Sequence, residues 1–323
     1  MRIAIARKLG NGPCPRYDEL PADPNTSRPA RHRRADELVG WIPLVVLPAG
    51  LAVCRARLAP WQFMWALSIA IFFGCKWETW IRARSAGLRA SFARNVGYLL
   101  LWPGMDACTF LSSESSSIRP RAKNWLVASA KTLFGCGLIW FAARNAANHP
   151  SLAVGWVGMV GIIFALHFGS FHLLALAWQS AGVVAQPLMQ SPVGATSLSE
   201  FWGKRWNMGF RQLTHGLIFR PVRKWFGPVV ATLAAFLASG LIHDFVISFP
   251  AGGGYGLPTG YFLLQGLGVL AERSKLGARL GIGRGVRGWL FTLLCTVGPA
   301  FWLFHPAFVR NVMIPFFAWM GRL

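Results

Sequence analysis

The chain has 323 residues, 54% of them hydrophobic and only 14% charged, with a positive mean hydropathy. A soluble domain carries about a quarter charged residues, so this balance excludes an ordinary soluble globule. The net charge of +22 comes from 33 basic against 11 acidic residues. It argues for no nucleic-acid partner, because the basic residues sit between apolar windows, as they do in the cytoplasmic loops of membrane proteins.

Residues 1–37 hold eight Arg/Lys, several prolines and no apolar core. A secretory signal needs a continuous apolar region, so this stretch reads as a basic cytoplasmic tail. Residues 38–323 read as a single membrane-embedded domain. A helix needs about 20 apolar residues to cross the ~30 Å hydrocarbon layer. Eight windows are candidates: 38–54, 59–76, 124–143, 151–178, 228–249, 257–271, 288–304 and 306–320. The expected fold is all-α, a polytopic bundle of about eight spans with re-entrant or interfacial helices. The stretch 92–105, broken by Pro103-Gly104, is too short to span and reads as such a piece. Non-helical backbone at that depth requires protein or water to satisfy it. With the N-terminus in the cytoplasm, the basic segments 76–123, 179–227 and 272–287 fall inside and the loops 144–150 and 250–256 outside. The outer loop carrying Arg55 and Arg57 is the exception.

The six cysteines form no CxxC pair and read as small apolar fillers; no metal site is expected. Ten of the eleven acids lie in the tail or in expected loops. Only Asp244 falls inside a window, directly after His243 in the string SGLIHD (239–244). An ionisable residue in a span costs roughly 2.5–3.5 kcal/mol on insertion scales and marks a functional site by default. His243 lies about 14 residues into its window, so ~20 Å deep at 1.5 Å per residue. The plain alternative is a polar bond to a neighbouring helix.

A second constellation is FWGKRWN (201–207), just after the longest uncharged run. Trp202 and Trp206 suit the interface, and Lys204 and Arg205 suit a phosphate group. An interfacial amphipathic helix with aromatic anchors is the plain alternative. Arg211 and His215 follow and could touch a cytoplasmic phosphate donor. His167 and His172, five apart, read as satisfied core histidines or as polar cavity-lining residues. Trp102-Pro103-Gly104-Met105-Asp106 either lines the lumen of a site or turns the re-entrant segment.

FWGKRWN followed by SGLIHD resembles the wax synthase branch of the membrane-bound O-acyltransferase family, over about Pro187 to Phe245. That family carries an Asn in an FWxxRWN-like segment and a His in a downstream apolar helix; Asn207 and His243 match them. Lys204 stands where Arg is equally expected, and Asp244 where plant relatives tend to have Glu. The chain is short for the wider family, so some peripheral helices are expected to be missing.

The resemblance implies acyl transfer from acyl-CoA, as co-substrate, to the hydroxyl of a lipophilic alcohol, with no cofactor. A neutral imidazole at His243 suits a general base. An amide at Asn207 suits a donor to the thioester carbonyl or a group that orients the alcohol. Trp202, Lys204, Arg205, Trp206, Arg211, His215 and Asp244 are the expected substrate-binding residues. Asp244 is adjacent to His243 and points about 100° away on a helix, so it is no triad partner. No Ser or Cys is placed for an acyl-enzyme, and direct transfer is expected. A sterol, diacylglycerol or carbohydrate acceptor would use the same Asn and His. A proton-coupled transporter is the rival from another class; it would favour inverted repeats, and none is visible.

Overall fold

A computed structural model describes residues 30–113, 116 and 119–323, with side chains from residue 38 onward. The tail expected over 1–37 therefore lies outside the described residues, apart from helical backbone that begins at Ala30. Among the described residues the regular elements are all helices, with no strand. Each apolar window is mostly helical, and the 288–304 window is broken by a turn at 298–299. Four helices are long and apolar enough to cross a membrane by length and composition: Ala122–Ala146, Leu152–Ser180, Met208–Ala251 and Gly285–Leu303. Leu38–Val53 is a shorter apolar helix. Large apolar side chains such as Leu126, Leu133, Trp140 and Leu294 face outward, as expected of a protein whose surroundings are lipid.

The bundle is held by close backbone approach. Gly135 on Ala122–Ala146 meets the backbone of Gly161 and Ala165 on Leu152–Ser180. Small residues permit such contact in membranes, where packing rather than the hydrophobic effect joins helices. Gly240 meets Thr259 in the same way, pressing the helix that carries His243 against Leu257–Arg273. The 306–320 segment closes the bundle: Val309, Val312 and Phe317 are buried with Ala142 and Met159.

The helix Pro60–Ser85 runs past the expected window end at 76, so the inner segment expected from 76 begins as helix. Its continuation holds charges in place. Lys76 is fully buried; its Nζ donates to the Gly104 carbonyl at 2.7 Å and lies 3.1 Å from the centre of the Tyr98 ring. Glu78 pairs with Arg82 one turn on. Lys76 thereby supplies the partner that the broken 92–105 stretch requires. That stretch is a helix, Phe92–Leu101, followed by irregular backbone at 102–105.

Candidate active site

A cavity of about 900 Å³ lies within the bundle, at the upper end of the range for ligand sites. His243, Asn207, Trp202, Trp206, Arg211 and His215 all line it, and so do Trp102 and Pro103. The sequence therefore placed six of its nine site residues on one cavity. Lys204, Arg205 and Asp244 do not line it.

His243 ends the regular part of its helix, and a π-helical stretch, Asp244–Ser248, follows. Its Nδ1 lies 2.7 Å from the Ser239 carbonyl oxygen one turn back. A carbonyl only accepts, so Nδ1 carries the proton and Nε2 keeps its lone pair. The ring rests on Phe262 at 4.4 Å between centroids.

Asn207 adopts a left-handed backbone, φ 42 and ψ 63, and caps the helix Met208–Thr214. Asn tolerates this conformation where most residues do not. Its Oδ1 accepts from the Phe210 N–H at 3.4 Å. Its side-chain NH2 has no bond to another described residue and remains available as a donor at the cavity wall.

The loop that presents Asn207 is fixed by two carboxylates that the sequence reading left as loop acids. Glu272 is buried and accepts from the backbone N–H groups of Leu198 at 2.7 Å and Ser199 at 2.8 Å. Glu200 accepts from the Thr196 N–H at 2.8 Å and pairs with Arg205 at 2.8 Å. The Thr196 N–H, followed by the Arg205 guanidinium, holds the Glu200 carboxyl below the usual range. Arg205 also donates to the carbonyls of Gln190 and Ser191. It is thus a brace of the loop, turned away from the cavity, and Lys204 beside it is exposed. Trp202 is anchored by an indole N–H bond to Gln265 at 3.2 Å.

Asp244 makes no hydrogen bond to His243, although both side chains reach the helix Leu257–Arg273. Its carboxylate accepts from the Ser248 hydroxyl at 2.8 Å, the Gly256 N–H at 2.9 Å, the Thr259 N–H at 3.0 Å and the Thr259 hydroxyl. It ties the start of the next helix, whose first N–H groups lack partners of their own, and it forms no relay with His243. His172 stays off the cavity, whereas His167 lines it. Ser68, Ser199, Thr214, Thr232, Ser239 and Arg273 complete the polar part of the lining. Ser239 is not recognisable from its side chain, because its role is carried by its backbone carbonyl.

Comparison with known proteins covers the same part of the chain. Residues 185–264 match the membrane bound O-acyl transferase family, a stretch that contains both Asn207 and His243. The resemblance read from FWGKRWN and SGLIHD is thus confirmed over that stretch. Among individual proteins, the chain is 31% identical over 146 residues to a probable long-chain-alcohol O-fatty-acyltransferase 7 of Arabidopsis thaliana, covering 40% of this chain and 42% of the relative. It is 29% identical over 173 residues to the long-chain-alcohol O-fatty-acyltransferase of Simmondsia chinensis, covering 47% and 48%. It is 26% identical over 199 residues to acyl-CoA–sterol O-acyltransferase 1 of Arabidopsis thaliana, covering 57% and 56%. The chain spans about half the length of the curated relatives it matches.

Proposed function

We propose that the protein is an integral membrane O-acyltransferase that moves an acyl chain from acyl-CoA to the hydroxyl of a lipophilic alcohol. The observation that carries this reading is the joint presence of His243 and Asn207 on one large, mostly apolar cavity. Nε2 of His243 removes the hydroxyl proton as the alcohol oxygen attacks the thioester carbonyl. The side-chain NH2 of Asn207 donates to the oxygen on which negative charge develops; such a donor is worth roughly 2.7–4 kcal/mol in a preorganised site. Collapse of the tetrahedral adduct expels the CoA thiolate, which takes the proton back from the imidazolium. No cofactor enters these steps. The Ser68, Thr232 and Ser239 hydroxyls on the cavity donate to carbonyls one turn back, at 2.8, 2.8 and 3.0 Å, the Ser199 hydroxyl accepts from Arg273 at 2.9 Å, and none of them bonds to His243. This supports direct transfer without an acyl-enzyme.

Arg211 and Arg273 on the lining supply positive charge for the CoA phosphates, and the His215 imidazole beside them supplies a hydrogen-bonding group. Ile69, Leu100 and Leu101 line the cavity and are also exposed on the outer surface, so the acceptor enters through an apolar wall that meets the bilayer. The N-terminus lies in the cytoplasm, on the side of the basic segments. Helices 38–53, 60–85, 257–273 and 306–320 bring the spans to about eight.

A fatty alcohol is the acceptor this reading favours, on the names of the relatives in Arabidopsis and Simmondsia. A sterol is the second reading, supported by the sterol acyltransferase match. Expression in a host without neutral esters, fed either acceptor, tests both by lipid mass spectrometry. Wax esters with fatty alcohol support the first reading and sterol esters the second; neither product would refute acyl transfer to a lipid alcohol.

A further inference from the structure

His167 holds a second imidazole on the cavity that the mechanism above does not use. It lies in the π-helical stretch Ile163–Ser170, a distortion often found at functional sites. Its ring is parallel to Trp206, 11° between planes and 6.4 Å between centroids; Trp206 is in turn parallel to Phe201, at 12° and 5.5 Å. Phe171 packs against it edge-on at 5.3 Å. This stack fixes the imidazole beside the residue that precedes Asn207.

The two ring nitrogens differ. Nδ1 is sealed from the cavity and has no hydrogen-bond partner, while the ring as a whole borders the cavity, which leaves Nε2 to face it. A proton on Nδ1 would be an orphaned buried donor, which folded proteins avoid more strictly than an unmet acceptor. The neutral ring therefore carries its proton on Nε2. His243 has the opposite tautomer, because Ser239 accepts from its Nδ1. One cavity thus presents a bare imidazole nitrogen at His243 and an imidazole N–H at His167.

We infer that His167 is a second donor to the reacting carbonyl, its Nε2–H acting with the side-chain NH2 of Asn207 on the thioester oxygen. The inference rests on the acyltransferase reading. A neutral imidazole suits this task, since it donates without surrendering a proton and leaves proton transfer to His243. The aromatic stack keeps the donor at a fixed angle, and a preorganised donor needs that more than strength.

The test compares His167→Phe, which keeps the ring packing and removes the donor, with His167→Gln, which restores an N–H. Acyl transfer is measured in membranes matched for protein. The Phe variant should lose about 10- to 100-fold in kcat with little change in KM, and Gln should recover about tenfold of that loss. A Phe variant within twofold of wild type, or a Gln variant as impaired as Phe, overturns the inference.

A binding measurement separates this outcome from failure of the acyltransferase reading. Two unreactive CoA ligands are compared, an alkyl thioether and a 2-oxoalkyl thioether that retains a carbonyl. Wild type should prefer the carbonyl ligand, and His167→Phe should weaken that preference about tenfold, with Asn207 still in place, even if no turnover is detected. A preference absent from wild type, or unchanged in the Phe variant, overturns the role of His167 whatever the activity shows.

Discussion

Nδ1 of His243 donates to the carbonyl of Ser239 at 2.7 Å, and this one bond decides which nitrogen of the ring can act as a base. Because the partner is a backbone carbonyl one helical turn away, no side-chain substitution at Ser239 removes it. Ser239→Ala should leave turnover within about twofold of wild type, since the deleted hydroxyl only bonds the Ala235 carbonyl. A large loss measured in membranes would show that the hydroxyl, and not the carbonyl, matters.

Asn207 combines a backbone role with a chemical one, and substitutions can part them. Asn207→Asp retains an acceptor for the Phe210 N–H and a residue that tolerates the left-handed region, but it has no side-chain donor. Its turnover should fall about 100- to 1,000-fold with unchanged thermal stability in detergent. Asn207→Ala should lose both activity and about 1–3 kcal/mol of stability through the left-handed backbone. Parallel activity and melting curves check the difference.

The adjacent bases of the motif should behave differently from those on the cavity. Lys204 is exposed and off the lining, whereas Arg211 is on it. Lys204→Ala should change the KM for acyl-CoA by less than about twofold, and Arg211→Ala should raise it about tenfold, the loss of one charge-assisted phosphate contact. Kinetics across a range of acyl-CoA concentrations read this directly.

Asp244 and Glu272 should prove structural. Asp244→Ala removes the acceptor of four hydrogen bonds. Glu272→Ala strands the N–H groups of Leu198 and Ser199. Each should cost about 2–4 kcal/mol of stability, visible as a lower melting temperature in detergent. Fully stable variants that lack activity would instead move these acids into the chemistry.

Asn207 was legible only through the resemblance of FWGKRWN to a family motif, whereas His243 was legible because an imidazole is costly in an apolar helix. Asp244 drew attention for the same reason, but sequence adjacency cannot show that its carboxylate reaches across to Gly256 and Thr259. Lys204 and Arg205 looked alike as a phosphate pair, yet the π-helical turn Phe201–Arg205 leaves one exposed and binds the other to Glu200. Lys76 was illegible in kind. A lysine normally ends an apolar window, and only the fold shows the Gly104 carbonyl and the Tyr98 ring that let the helix continue through it. His167 and His172 could not be ranked by spacing, since the π-helical register replaces the ordinary helical period around them.

The most direct test of the account is the pH dependence of acyl transfer by membranes carrying wild type or His243→Ala at equal abundance, with labelled acyl-CoA and a fatty alcohol. The account predicts that wild-type turnover rises with pH through the titration of one group, as the bare Nε2 becomes available. It predicts that the alanine variant is slower by about 100-fold or more at every pH and lacks that rise. An alanine variant with near-wild-type turnover and the same pH profile would contradict it.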